Sequence, residues 1–100
     1  MAKVVVSSPA NADFETIVRD LALDAGVLVA ARYDMDFRAL FRRIALFPES
    51  GGPRSKLGPK VRVGVAAPYV VVYEYDQTDD TVIVLRIVHG KRKLTRKMIR

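Results

Sequence analysis

The feature that most constrains this chain is a pair of helical apolar stripes that meet at one glycine. Phe14, Ile17, Val18, Leu21 and Ala25 recur at spacings of 3, 1, 3 and 4, which places them on one face of a helix. Tyr33, Phe37, Leu40, Phe41, Ile44 and Phe47 draw a second stripe, with Arg38, Arg42 and Arg43 largely outside it. Gly26 interrupts the first pattern and can close it with a left-handed residue. Pro48 stops the second, because proline has no amide hydrogen and clashes with the preceding turn. Ser8 followed by Pro9 reads as the start of the first helix, serine capping and proline in the first helical position. Two amphipathic helices joined this closely form an antiparallel hairpin.

The rest of the chain reads as strands. Val4, Val5 and Val6 are β-branched and stiff, so Lys3 to Ser7 forms a short strand. Residues 48–60 hold three prolines and three glycines and read as an ordered surface loop. Val61 to Ala66, Tyr69 to Tyr75 and Thr81 to His89 are β-rich, the last two joined by the polar turn Asp76-Gln77-Thr78-Asp79-Asp80. The order β-α-α-β-β-β implies an α+β fold, with the helical hairpin packed on one face of a small antiparallel sheet. The opposite face is then expected to be free for a partner. The tyrosines Tyr69, Tyr73 and Tyr75 alternate along a strand and are expected to fill sheet faces rather than stack on bases.

At 100 residues, half of them hydrophobic, there is room for one domain with a real core. The absence of cysteine removes disulfides, thiolate nucleophiles and sulfur-ligated zinc, and the single histidine leaves only His89 for imidazole chemistry. Gly51-Gly52 runs into Pro53 with no GK[ST] following, so there is no phosphate-cradling loop, and no metal or cofactor is implied. The acidic residues show no paired-carboxylate pattern, and Asp79-Asp80 reads as a solvated turn. The valine run near the N-terminus is too short for an export signal. The longest uncharged stretch, Val63 to Tyr73, has 11 residues, too few to span a bilayer. A soluble, cytoplasmic protein with no membrane partner is expected.

Charge is placed unevenly. Residues 1–53 carry 6 basic and 7 acidic side chains, and residues 54–100 carry 11 basic and 4 acidic. The second half therefore presents an electropositive surface suited to an anionic partner. The tail from Lys91 to Arg100 has six basic residues in ten, with Leu94 and Met98 spaced as an apolar seam; it reads either as a frayed terminus or as a docking element. In the last strand, strict alternation groups Arg86 with Val82, Val84 and Val88, against Ile83, Leu85, Ile87 and His89. Arg86 is expected on the open face, since facing the helices would require a paired anion. His89 either closes the strand through a local hydrogen bond or meets a partner or substrate.

Several of these runs resemble the RelE/ParE superfamily of bacterial toxins. They are Phe47-Pro48-Glu49-Ser50-Gly51, Leu57-Gly58, Arg62, the strand Tyr69-Val70-Val71-Val72-Tyr73, and Val82-Ile83-Val84-Leu85-Arg86-Ile87-Val88-His89-Gly90. The last is close to the ILRVLHG strand end of ParE-like members, and Ser8-Pro9-Ala10 is similar to the family's opening. The resemblance implies a single toxin domain over residues 1–92 with a basic tail over 93–100. It also implies the toxin of a type II toxin–antitoxin pair, whose partner is a small antitoxin, ParD-like or other, with a disordered segment that folds over the toxin. An acidic segment of that kind suits the basic half of this chain.

The superfamily divides by target. RelE-like members cut messenger RNA in the ribosome with lysines, arginines and often a terminal tyrosine; ParE-like members inhibit DNA gyrase. Aligned on the strand tyrosine, the nuclease arginine that follows it becomes Val70. The paired lysines of the preceding strand become Val61 and Val63 around Arg62, and the tail tyrosine falls at Met98. The histidine–tyrosine pair of YoeB-like nucleases is also incomplete, because Gly90 follows His89. Arg92 keeps an equivalent cation, although Lys93 stands where ParE-like sequences often have an acid. The resemblance thus favours a ParE-like gyrase inhibitor acting by binding, which contacts DNA only through gyrase or the antitoxin. Its expected binding residues are Arg62, Arg86, His89, Lys91 and Arg92. The alternatives are a ribosome-dependent endoribonuclease using Arg62, Arg86, His89 and Arg92, or a decayed toxin that only engages an antitoxin or nucleic acid.

Overall fold

A computed structural model describes residues 1–99; Arg100, the last cation of the tail, lies outside the described residues. Strand β1 (Lys3–Val6) leads into helix α1 (Ser8–Ala25) and then α2 (Val27–Leu46). Four strands follow, β2 (Gly52–Pro53), β3 (Val61–Ala66), β4 (Tyr69–Asp76) and β5 (Thr81–His89), and a 3-10 turn (Arg96–Ile99) closes the described chain. The five strands form one sheet in the order β1-β5-β4-β3-β2, antiparallel except for the parallel β1–β5 pair. The α+β architecture with a helical hairpin on a small sheet is as expected, with the two-residue β2 added inside the 48–60 loop.

The cap of α1 is Ser7 rather than Ser8: its Oγ accepts from the Ala10 amide at 3.2 Å, and Pro9 sits inside the first turn. Gly26 ends α1 at φ 99°, a left-handed φ that only glycine adopts without strain, and α2 starts at the next residue. No helix among the described residues is long and apolar enough to cross a membrane.

The core lies between the hairpin and one face of the sheet. Phe37, Leu40 and Ile44 of α2 are buried against Val71 and Tyr73 of β4 and Val82, Val84 and Ile87 of β5. Phe14 and Ile17 of α1 close its side. The tyrosines fill this face as expected: Tyr69 packs its ring 5.6 Å from Phe37 and 5.9 Å from Tyr33. Phe47 departs from the stripe read from the sequence. It falls one residue past α2 and is 63% exposed, because Pro48 turns the chain before another helical residue can form.

Two expectations about the sheet are corrected. Val72 pairs with Arg86 while Tyr73 pairs with Val84, so Leu85 is an extra residue, a β-bulge. The bulge shifts the alternation: Val82, Val84 and Ile87 face the helices, whereas Leu85 packs with Val72 on the other side. That other side is also partly covered. Val61, Val63 and Val72 lie beneath Leu57 of the loop and Leu94 and Ile99 of the tail, so the surface left for a partner is not a bare sheet.

Candidate functional site

The Phe47–Gly51 run is held in place by a tyrosine and an arginine. Tyr73 is fully buried, and its Oη donates to the Pro48 carbonyl at 2.8 Å and accepts from the Gly51 amide at 3.0 Å. Arg62 Nη1 donates to the carbonyls of Glu49 at 2.9 Å and Gly51 at 2.8 Å, and Nη2 stands 3.7 Å from the Glu49 carboxylate. Gly51 fits because it has no side chain. A Cβ there would overlap the Tyr73 hydroxyl and lie 2.6 Å from the Val63 carbonyl. Arg62 is therefore a fastener for the loop rather than a free cation.

Arg86 is likewise engaged. Its Nε and Nη2 donate to the two carboxylate oxygens of Asp13 at 2.7 and 3.0 Å, a bidentate pair with side chains only 20% and 17% exposed. Asp13 also accepts from the Ile87 amide at 2.9 Å. Strand β1 pairs no further than Val84, so α1 takes over beside β5 from that point. There the Ser7 amide reaches the Val84 carbonyl, and Ser7 Oγ donates to the carbonyl of the bulged Leu85 at 3.2 Å. The remaining end of the guanidinium, Nη1, donates to the Met98 carbonyl at 3.0 Å and ties down the tail. The hydrogen bond to Asp13 raises the Arg86 pKa further above its already high ordinary value, so the charge is fixed.

The other three expected residues gather at the end of β5. His89 Nδ1 accepts from the Lys91 amide at 3.1 Å, which leaves Nε2 to carry the proton of the neutral ring. The ring meets Tyr69 edge-on at 5.8 Å. Burial first, then the nearby Tyr33 and Asp20, push the Tyr69 phenol above its ordinary pKa. The Gly90 amide donates to the Pro68 carbonyl at 2.7 Å and the Arg92 amide to the His89 carbonyl at 2.9 Å, so this chain end is held tightly to the β3–β4 turn. Lys91 and Arg92 are exposed and form no ion pair among the described residues.

Of the five candidate residues, then, two fasten the fold and three sit together at an exposed strand end. Sequence reasoning missed Asp13 and gave Tyr73 no role beyond packing. A signal for Asp13 existed: it is three residues after Ala10 and four before Ile17, so it shares the inward face of α1.

Comparisons with known proteins bear on the family and the fold. The family model described as the ParE toxin of the type II toxin–antitoxin system parDE matches residues 4–94. The chain belongs to the ParE toxin family. Toxin ParE3 of Caulobacter vibrioides is 31% identical over 98 residues, spanning 98% of this chain and 96% of that protein. Among solved structures, a chain of the chromosomal ParDE system from P. aeruginosa matches with a TM-score of 0.72 at 19% identity, over 89% of this chain and 96% of that one. A chain of the RelBE2 toxin–antitoxin complex from Mycobacterium tuberculosis matches with a TM-score of 0.62 at 21% identity, over 88% and 90%. At these identities the two structural likenesses are of fold alone. The span matched to the ParE toxin model takes in Asp13, Arg86 and His89, and leaves the Arg96–Ile99 turn beyond it.

Proposed function

We propose that this ParE-family toxin acts by binding DNA gyrase, performs no bond-breaking chemistry of its own, and is neutralised by a cognate antitoxin of the ParD kind. The observation that carries the reading is the engagement of Arg62 and Arg86. A nuclease needs arginines free to stabilise charge on a scissile phosphate. Here Arg62 grips the Glu49–Gly51 backbone and Arg86 is bidentate to Asp13. His89, Lys91 and Arg92, at the exposed strand end, serve as contacts to the target rather than as acid, base and clamp.

An antitoxin segment that folds on binding must gain apolar area to offset its ordering. The tip of the helical hairpin offers it: Leu23, Val27 and Leu28 are 78%, 74% and 87% exposed.

The test is a gyrase reaction on plasmid DNA with the purified toxin, with and without antitoxin. Linear DNA released by detergent and protease, and lost on adding antitoxin, is the expected result. No trapped DNA with active gyrase and folded toxin would overturn the reading. Discrete ribosome-dependent cuts in a translated message, read by primer extension, would replace it with the endoribonuclease.

A further inference from the structure

We propose that the face formed by the 54–57 loop and the C-terminal tail binds the phosphate backbone of duplex DNA directly. The proposal deepens the gyrase reading and rests on it for the identity of the DNA, which is the segment that gyrase holds. It departs from the expectation that DNA is met only through gyrase or the antitoxin.

The sequence supplies the charge. No aspartate or glutamate occurs between Ser50 and Tyr73, and none after Asp80. The fold lays these two acid-free stretches side by side. Leu57 of the first and Leu94 and Ile99 of the second pack over the same sheet residues, Val61, Val63 and Val72. Between loop and tail runs a groove of about 420 Å³ lined by Pro53 to Leu57 and by Leu94. Arg54 and Lys56 line it, and the tail that carries Leu94 over the sheet brings Lys93, Arg96 and Lys97, all exposed. None forms an ion pair among the described residues, whereas Arg19, Arg38, Lys60 and Arg62 elsewhere each have an acidic partner. Two acids come near: Glu74, which pairs across the strands with Val61 but does not line the groove, and Asp13, which is bound to Arg86, whose other donor holds the Met98 carbonyl. Asp13 and Arg86 thus position the tail while its own cations remain unneutralised.

What this face lacks decides between two anionic partners. Among the described residues the exposed large apolar side chains lie at Met1, the hairpin tip, Met35, Leu46 and Phe47, Val65 and along β1 and β5; in residues 54–60 and 91–99 the apolar side chains Leu57, Leu94, Met98 and Ile99 are half-buried. An acidic amphipathic peptide would find charge here but little apolar area with which to fold. A nucleic-acid backbone needs only spaced cations, because its affinity comes from counterion release. Duplex DNA is therefore the better fit.

The experiment is fluorescence anisotropy of the full chain with a short labelled duplex of arbitrary sequence, across a salt series and without gyrase. With about four phosphate contacts, affinity should fall about a hundredfold between 50 and 200 mM salt. Lys56→Gln, Lys93→Gln and Lys97→Gln should each weaken binding and flatten the log–log salt slope by about one. Arg42→Gln, on the exposed side of α2, should leave both unchanged. These side chains are exposed and unpaired, so coincident melting curves should show the variants to be folded. Salt-insensitive or undetectable binding, or equal binding by the tail and α2 variants, would overturn the proposal. So would loss of antitoxin affinity, with DNA affinity intact, in the Lys56 and Lys93 variants, since the face would then belong to the peptide. In the gyrase reaction the Lys56/Lys93/Lys97 triple variant should trap less DNA than wild type. Unreduced trapping would overturn the DNA contact while leaving the gyrase reading standing; no trapping by wild type would defeat that reading without altering the anisotropy result.

Discussion

On one side of the sheet, two helices of 18 and 20 residues lay Phe14, Ile17, Phe37, Leu40 and Ile44 over the strands. On the other, Leu57 of a loop, Leu94 of the irregular tail and Ile99 of a short 3-10 turn do the same work. The helical cover is continuous and hydrogen-bonded within itself, so each side chain is placed by its neighbours. The second cover has no such ladder. It depends on separate fasteners: Tyr73 and Arg62 for the Phe47–Gly51 run, and Arg86 with Asp13 for the tail. One face is thus built for stability. The other is assembled from segments that also present charge.

The sharpest way to break the contrast is to remove one large side chain from each cover. Phe37 is fully buried between Phe14 and Tyr69. Phe37→Ala should cost about 4 kcal/mol of unfolding free energy by urea titration, through lost transfer energy and the cavity left behind. Leu94, half-buried and close to the chain end, should cost only about 1 kcal/mol as Leu94→Ala. Equal losses would mean that the tail is as integral as the hairpin.

The next effect belongs to the loop fasteners. Gly51→Ala forces a methyl against the Tyr73 hydroxyl and the Val63 carbonyl, neither at the end of a flexible chain. Overpacking of this kind should cost about 3 kcal/mol. Tyr73→Phe removes the hydroxyl, the nearest obstacle, but keeps the ring carbon Cε1 2.9 Å from the new methyl, and alone leaves the Gly51 amide and Pro48 carbonyl unpaired, at about 1.5 kcal/mol. The double variant should therefore be less destabilised than the sum of the two. Strict additivity in denaturation would refute the clash.

A smaller loss is expected at the tail clamp. Asp13→Ala strands the Arg86 guanidinium and the Ile87 amide, at about 2 kcal/mol for this partly buried site. Arg86→Met in the same chain should recover part of that, because a second substitution removes the unpaired charge. Faster amide exchange in residues 94–99 of Asp13→Ala, with α2 unchanged, would show that the clamp serves the second cover alone.

The difference between the two faces also explains what could be read in advance. The helix-side face was legible because its stripes repeat over many turns, and β3 and β5 end where their β-rich runs end, at Ala66 and His89. The bulge at Leu85 was not. Nothing in Val84-Leu85-Arg86-Ile87 marks an extra residue, and the partners that stabilise it, Ser7 and Asp13, lie more than 70 positions away. Strict alternation carried back from Arg86 across that point assigned Val82, Val84 and Leu85 to the wrong faces, while Ile87 and Val88 fell on the expected ones. The cover by Leu57 and Leu94 escaped notice for a similar reason: two isolated leucines have no period. Arg86 showed its need for a partner, an arginine in an apolar strand, but periodicity cannot name a carboxylate from another element.

His89 carries the smallest expected change in stability and separates fastening from contact. Its side chain is exposed, its Nδ1 accepts one amide hydrogen from Lys91, and its ring touches Tyr69 only edge-on. Arg62 and Arg86 each hold two segments together, whereas His89 holds only its own turn. His89→Ala should therefore shift stability by less than about 0.5 kcal/mol, within the range of ordinary surface substitutions. If the strand end is a target contact, the same variant should still weaken gyrase trapping or growth arrest at an unchanged protein level. Unchanged trapping, with Lys91→Gln and Arg92→Gln equally silent, would remove the strand end from the site and leave the loop–tail face to account for target binding. A large loss of stability would instead place His89 among the fasteners, and the division between the two groups of candidate residues would fall.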